Sequence, residues 1–378
     1  MNGRELYTCI YGGEKPDRFP IQRMAFWEET VRRWWNEGLD KRLDPNNVLG
    51  LHGQDAMALP LDLNFVPRFP TEILKTDERY VILKDEFGVT KRMLRSDFDY
   101  SSGLMENAGK TSSMCEWLDF PVKDINSWKL VYEERLRPTL EGRVPIDYEK
   151  NKKEYLKCSE TRWVIHFCFP LLGLFGPLRE LMGFENLVYT MTDNPALIDT
   201  IIKDLTDFWL KTYDIILTDF RLDKVVFFED MCSTRAPLIS PEMFNRFFAP
   251  GYKKVVNGLR EMGVSEFFID TDGHLWHLIP ELLNCGITGT HPCEINAGMI
   301  PKALRDTFPK FCLNGGINKV ALTRGKTAID EELECRFQTA LDSGGYTPTL
   351  DHSVPPDISW ENMLYFAQRY RDFCEAVS

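Results

Sequence analysis

The sequence predicts an α/β protein built on a parallel sheet, either open or closed into a barrel. Three observations carry that prediction. From about residue 145 onward, short apolar runs alternate with longer amphipathic stretches, the pattern of strand–helix units. Five consecutive apolar runs end in carboxylate, imidazole, amide or thiol residues, and parallel α/β folds collect their chemistry at strand ends. No GxGxxG opens a helix and no GxxxxGK[ST] occurs, so the common nucleotide cradles are excluded.

Taken in order, residues 1–45 read as helical after a short loop. Trp27, Val31, Trp34 and Trp35 recur at helical spacing and form one apolar stripe, with Gly38 as a stop. The stripe fits a core-facing helix; it also fits an aromatic wall over a pocket. Residues 60–125 differ in character. Tyr80–Arg92 reads as a hairpin turning at Asp85–Gly88, and Ser101–Ser113 as a polar loop. This segment is expected to be an insertion into the main scaffold, or a lid. No repeat and no low-complexity linker divides the chain.

Beyond residue 145 the expected strands are Trp163–Phe169, Lys224–Phe228, Glu266–Ile269, Gly286–Thr290, Phe311–Asn314 and Tyr346–Leu350. The helices expected between and after them are Leu197–Leu217, Pro241–Met262, Leu275–Cys285, Pro301–Thr307, Asp330–Ser343 and Glu361–Val377. Ser240-Pro241 has the form of an N-cap followed by proline at the first helical position. Gly263 and Gly286 sit where helices should stop.

With 378 residues, 43% of them hydrophobic, the chain can bury a large core. A net charge of −12 argues against nucleic acid or an anionic membrane surface as partner. Ten cysteines are scattered without CxxC spacing, which fits reduced, mostly core thiols in a cytoplasmic protein. No apolar h-region follows Met1, so no signal peptide is expected. The most apolar run, Trp163–Leu178, is interrupted by Pro170, Gly173, Gly176 and Pro177 and reads as a buried strand followed by a loop, not a membrane span.

The run Lys224–Phe228 ends at Glu229-Asp230, and Glu266–Ile269 at Asp270-Thr271-Asp272-Gly273-His274. Gly286–Thr290 ends at His291-Pro292-Cys293-Glu294, Phe311–Leu313 at Asn314-Gly315-Gly316, and Tyr346–Leu350 at Asp351-His352. His274, His277, His291 and His352 are four of only six histidines. Each residue has a plainer use. Asp272-Gly273 and Gly315-Gly316 suit turns, Asp270 a helix cap, His277 and His291 packing, and Cys293 an inert thiol. His352, before Val354-Pro355-Pro356, has the weakest plain alternative. Two chemistries fit the group. One is a divalent metal on Asp272, Glu294 and His352, supported by Asp270, His274 or Glu229. The other is metal-free acid/base catalysis by His352 beside a carboxylate that tunes it.

These motifs resemble the uroporphyrinogen decarboxylase superfamily, which includes the corrinoid-dependent methyltransferases. The matching pieces run from Lys15-Pro16-Asp17-Arg18-Phe19-Pro20 through Glu229-Asp230-Met231, Pro237–Phe244, Asp270–His274, Gly289–Glu294 and Asn314–Asn318 to Asp351-His352. The resemblance implies one (β/α)8 barrel over 1–378, with 60–125 as insertion, and a site at the C-terminal strand ends. His352 matches the late histidine of the decarboxylases. Where those enzymes use paired arginines for a polycarboxylate, the stretch Ile21–Trp27 offers only Arg23. Where the methyltransferases carry His-x-Cys and a late Cys on zinc, this chain has Asp270-x-Asp272 and His352; Glu294 falls where related zinc enzymes place a glutamate.

The resemblance therefore implies removal of a methyl group from a small O- or N-methylated compound to a corrinoid carried by a partner protein, with metal or acid assistance. The alternative is a decarboxylase of a small aromatic or pyrrolic acid. Catalytic roles are expected for His352, Asp270 and Glu229, and zinc ligation for Asp272, Glu294, His352 and His274. Substrate contacts are expected from Trp27, Arg23, His52, Asn314 and Arg235, with Met114 and Arg179 as further pocket residues. No DxHxxG corrinoid-binding motif occurs, so cobalamin is expected to arrive with the partner. Dimerisation is common in the superfamily and is expected here.

Overall fold

A computed structural model of the chain describes residues 1–95 and 115–376; the stretch 101–113 lies outside the described residues. Numbered along the chain, the strands are β1 (Ala56–Ala58), β2 (Glu72–Thr76), β3 (Tyr80–Lys84), β4 (Thr90–Leu94), β5 (Cys115–Asp119), β6 (Trp163–Phe167), β7 (Lys224–Phe228), β8 (Glu266–Asp270), β9 (Gly289–His291), β10 (Cys312–Ile317) and β11 (Tyr346–Leu350). Contacts divide the chain into two compact units. One holds Met1–Leu59, Asp147–Phe167 and Asp219–Ser378; the other holds Pro60–Ile146 and Cys168–Thr218.

The first unit carries a seven-stranded sheet ordered β1-β6-β7-β8-β9-β10-β11. Every neighbouring pair is parallel. Parallel pairing in chain order requires a crossover after each strand, and helices supply most of these. The α/β class with a parallel sheet therefore holds. Seven strands form this sheet, and among the described residues β1 and β11 end the hydrogen-bonded order.

In-register parallel neighbours present side chains to the same face. Phe228 aligns with Asp270 and Asp270 with His291, while Asn314 aligns with Thr347. Beneath that level Val226, Phe268 and Cys312 form a buried cluster, with Tyr11 and Ile165 packed against it. The buried Lys224 ammonium lies 3.4 Å from the Phe268 ring centroid. Burial lowers its pKa to about 7.

Helix boundaries follow local signals. Ser240 caps Pro241–Phe247, its hydroxyl accepting from the Met243 N–H. The single helix expected over Pro241–Met262 is two, Pro241–Phe247 and Ala249–Glu261. Pro250, lacking an N–H, falls in the first turn of the second, where that loss costs least. Gly286 has φ +85 after the helix Ile279–Asn284, so β9 starts later than expected.

The second unit carries an antiparallel sheet ordered β2-β3-β4-β5. Its β3–β4 hairpin is the expected one, and Asp85 Oδ1 accepts from the N–H groups of Phe87 and Val89 in the turn. Val81, Leu83 and Met93 form its small core. The long helix Pro195–Ile216 buries Leu197, Ile201, Leu205, Phe208 and Trp209. The guanidinium of the buried Arg143 donates to the carbonyls of Asp62, Asn64, Arg135 and Arg137. The loop expected after β6 gives way to the helix Phe175–Met182. No helix of the described residues is long and apolar enough to cross a membrane.

Candidate active site

The end of β11 supplies the central side chain. Asp351 is fully buried and His352 follows it, partly exposed. The loop after His352 is tied to the N-terminal segment. The Val354 N–H donates to the Ala25 carbonyl at 2.9 Å, and the Val354 carbonyl accepts from the Trp27 N–H at 3.2 Å and the Thr30 hydroxyl at 2.7 Å. These bonds bring the Trp27 ring onto the His352 ring, with centroids 5.8 Å apart and planes 27° apart. Within the stripe Trp27 stacks on His352, while Trp34 takes the core position and is fully buried.

The end of β8 supplies the partner. Asp272 Oδ2 lies 3.1 Å from His352 Nε2. The turn that presents Asp272 needs Gly273: its φ is +82, and a Cβ there would lie 2.5 Å from the Ser233 carbonyl oxygen. Hydrogen bonding to Asp272 raises the His352 pKa against the opposing pull of burial. Burial pushes Asp272 up, but the hydrogen bond and charge of His352 outweigh it and hold the carboxyl below its usual range. Asp270 lies deeper. Burial, with the charges of Asp230 and Asp272, pushes its pKa up to about 8, so it holds a proton at neutral pH. His291, aligned with Asp270, is driven the other way, to about 4, by burial and the Lys224 charge. The strand ends therefore carry a hydrogen-bonded histidine–carboxylate pair, its imidazole pKa raised, above a protonated acid and a neutral imidazole.

A third group completes this edge. Glu294 Oε2 accepts from the Gly273 N–H at 3.2 Å. Asp351 accepts from the N–H groups of Ile295 and Lys319. The Lys319 ammonium stands 3.5 Å from both carboxylates. Gly315, at φ +119, permits this approach of the β9 and β10 loops, since a Cβ there would overlap the Pro292 carbonyl. Asn314 Nδ2 donates to Gln22 Oε1 at 3.0 Å, close under the same edge.

Other expected site residues lie elsewhere. Strand alternation sends Glu229 to the face opposite Phe228, where it is fully buried and bonded to the Tyr252 hydroxyl in the helix Ala249–Glu261. His274 Nδ1 hydrogen-bonds the Ala297 carbonyl at 2.7 Å. Arg23 is exposed and paired with Asp44. His52 and Arg235 are exposed on loops. Arg179 belongs to the second unit and pairs with Glu180. Met114 lies outside the described residues. Lys319 and Gln22 were not anticipated from the sequence.

The zinc that the methyltransferase resemblance implies does not fit this arrangement. Among the described residues no group of three or more His, Cys, Asp or Glu side chains is placed to hold a metal ion. Asp272 and His352 face each other, Glu294 faces Lys319, and His274 is turned to Ala297. Nor is there a thiolate: burial pushes both Cys232 and Cys293 up to about 12.

A parallel α/β sheet with an acid–base pair at its strand ends defines an enzyme-like α/β protein of the barrel-related kind. Residues 175–373, more than half of the chain, match the uroporphyrinogen decarboxylase (URO-D) family, and the chain belongs to that family. A methyltransferase from Methanosarcina mazei is similar in structure, with a TM-score of 0.56 over 99% of both chains at 15% identity. At that identity the likeness shows the fold. No curated protein matches the sequence.

Proposed function

We propose that the chain is a metal-independent enzyme of this family in which His352, charged by Asp272, is a general acid. The observation that carries the reading is the 3.1 Å His352–Asp272 pair at the strand ends, with the imidazole pKa raised by its partner. The reaction it serves best is removal of a methyl group from a small O- or N-methylated compound. The corrinoid of a partner protein supplies the nucleophile that accepts the methyl group. As the methyl–oxygen or methyl–nitrogen bond breaks, the leaving atom keeps the electron pair and takes a proton from His352 through Nδ1, the ring nitrogen that does not face Asp272. Trp27 covers the imidazole, and the protonated Asp270 lies beneath as a further hydrogen-bond donor.

The charges support this over a polycarboxylate substrate. Arg23 is committed to Asp44, and Lys319 to Glu294 and Asp351. An anionic substrate would be repelled by Asp272, whose carboxyl is held below its usual range. A neutral or cationic methyl donor meets no such penalty. The competing reading is decarboxylation of a small aromatic or pyrrolic acid, with His352 protonating the carbanion. It draws support from the match of His352 to the late histidine of the decarboxylases.

The test is incubation of the purified protein with reduced cobalamin and a panel of methoxy and methylamine donors, followed by the cobalamin spectrum. Methylation that is lost in His352→Ala supports the proposal. No methylation with any donor, together with CO₂ release from a pyrrolic or aromatic acid, would replace it with the decarboxylase.

A further inference from the structure

Two carboxylates at the edge of the site converge on one ammonium. Lys319 opens the 3₁₀ turn Lys319–Arg324 after β10, and its Nζ lies 3.5 Å from Glu294 Oε1 and 3.5 Å from Asp351 Oδ1. Asp351 is fully buried; it accepts from the Lys319 N–H at 3.0 Å and the Ile295 N–H at 3.1 Å. Neighbouring acids withdrawn from water stay ionised only when a cation relieves them. In a metal-holding strand-end site that cation is the metal. Here it is a side chain of the protein.

We propose that Lys319 is the resident cation of the site. It takes the place between Glu294 and Asp351 that a divalent ion would need, and it aligns the His352–Asp272 pair. The alignment follows from chain connectivity. Asp351, held by Lys319, directly precedes His352. Gly273, whose N–H is held by Glu294, directly follows Asp272. One ammonium therefore fixes the neighbours of both members of the pair. Its charge also reaches the pair, disfavouring the protonated form of His352 and favouring ionised Asp272. Lys319 touches neither a reacting atom nor a proton in transit, and it is a positioning residue. The inference rests on reading His352–Asp272 as the acid pair, but its test needs no turnover.

The experiment compares the full-length protein with Lys319→Met and Lys319→Arg. It reads metal content by elemental analysis, Tm with EDTA or with millimolar magnesium, manganese or zinc, and the His352 titration by NMR. The wild type is expected to carry no stoichiometric metal and to keep its Tm under EDTA and added ions. Lys319→Met should gain an ion-dependent rise in Tm, since binding to the folded state alone stabilises it. Its His352 should titrate at higher pH than the wild type. Lys319→Arg should match the wild type in both readouts.

Stoichiometric metal in the wild type, with a fall in Tm on chelation, overturns the proposal. So does a Lys319→Met protein whose ion response and His352 titration are unchanged, or a Lys319→Arg protein that behaves like Lys319→Met. If Lys319→Met does not fold, Lys319→Gln is read in its place and the wild-type metal content still decides. Failure of methyl transfer with these results intact would remove the reaction assignment and leave the role of Lys319 standing.

Discussion

Replacing Asp272 with Asn removes the charge that raises the His352 pKa while leaving a side chain of nearly the same size. At 3.1 Å, two unit charges attract by about 1.3 kcal/mol in bulk water and about 5 kcal/mol at an effective dielectric of 20. The Asp272 side chain is 43% exposed and that of His352 25%, so solvent screening keeps the real value near the lower end, about 1.5 kcal/mol. That corresponds to roughly a tenfold loss of imidazolium at any pH above its midpoint. The assay is the pH dependence of kcat/KM for the best methyl donor, with the His352 titration followed by NMR. In Asp272→Asn both the alkaline limb and the titration should move to lower pH.

Stability gives an independent reading of the same pair. The folded pKa of Asp272 is depressed, so its contribution is present above the ordinary 3.8 and is lost as pH falls. That of His352 is raised, so its contribution is complete below the ordinary 6.5 and is lost as pH rises through the folded value. Asp272→Asn should therefore destabilise most between those two values and least at alkaline pH. An unmoved His352 titration, or a destabilisation that grows above neutrality, would refute the pairing.

Asp270→Asn should stabilise the protein by about 1–3 kcal/mol at pH 8, read from urea midpoints. With a folded pKa of about 8 against an ordinary 3.8, the native state keeps a proton that the unfolded chain has lost, so wild-type stability falls as pH rises across that window and the variant should lack the slope. His352→Ala should keep a cooperative unfolding transition while activity drops roughly 10²- to 10⁴-fold, the usual contribution of a general acid. Trp27→Ala removes the ring stacked on the imidazolium, an interaction of about 0.5–1 kcal/mol; its His352 should titrate at slightly lower pH, and an upward movement would contradict the stacking geometry.

Two continuously buried strands were legible to the residue, while a third, Cys312–Ile317, was read as Phe311–Asn314. Lys224–Phe228 and Tyr346–Leu350 are buried at every position, and their apolar runs announced it. Ala56–Ala58 is three residues long, and Glu72–Thr76 is exposed along its whole length; neither carries a periodic signal. The site was legible as a group because parallel strands deliver their ends to one edge. Its internal arrangement was not. Glu229 was read together with Asp270, although a period of two separates it from Phe228 and turns it toward Tyr252. Lys319 is one of 45 basic residues, and nothing in its neighbourhood marks it as the one set between two acids.

The clasp at Val354 bears on the order in which the protein is made. The Thr30 hydroxyl and the Val354 carbonyl are 324 residues apart, as are the Trp34 indole and the Ile358 carbonyl it bonds. Such separations defer closure until nearly all of the chain has left the ribosome. Until then the segment around Trp27 has no stacking partner and its apolar stripe is open to water. The stacking of Trp27 on His352 is therefore a late event in the folding of the chain.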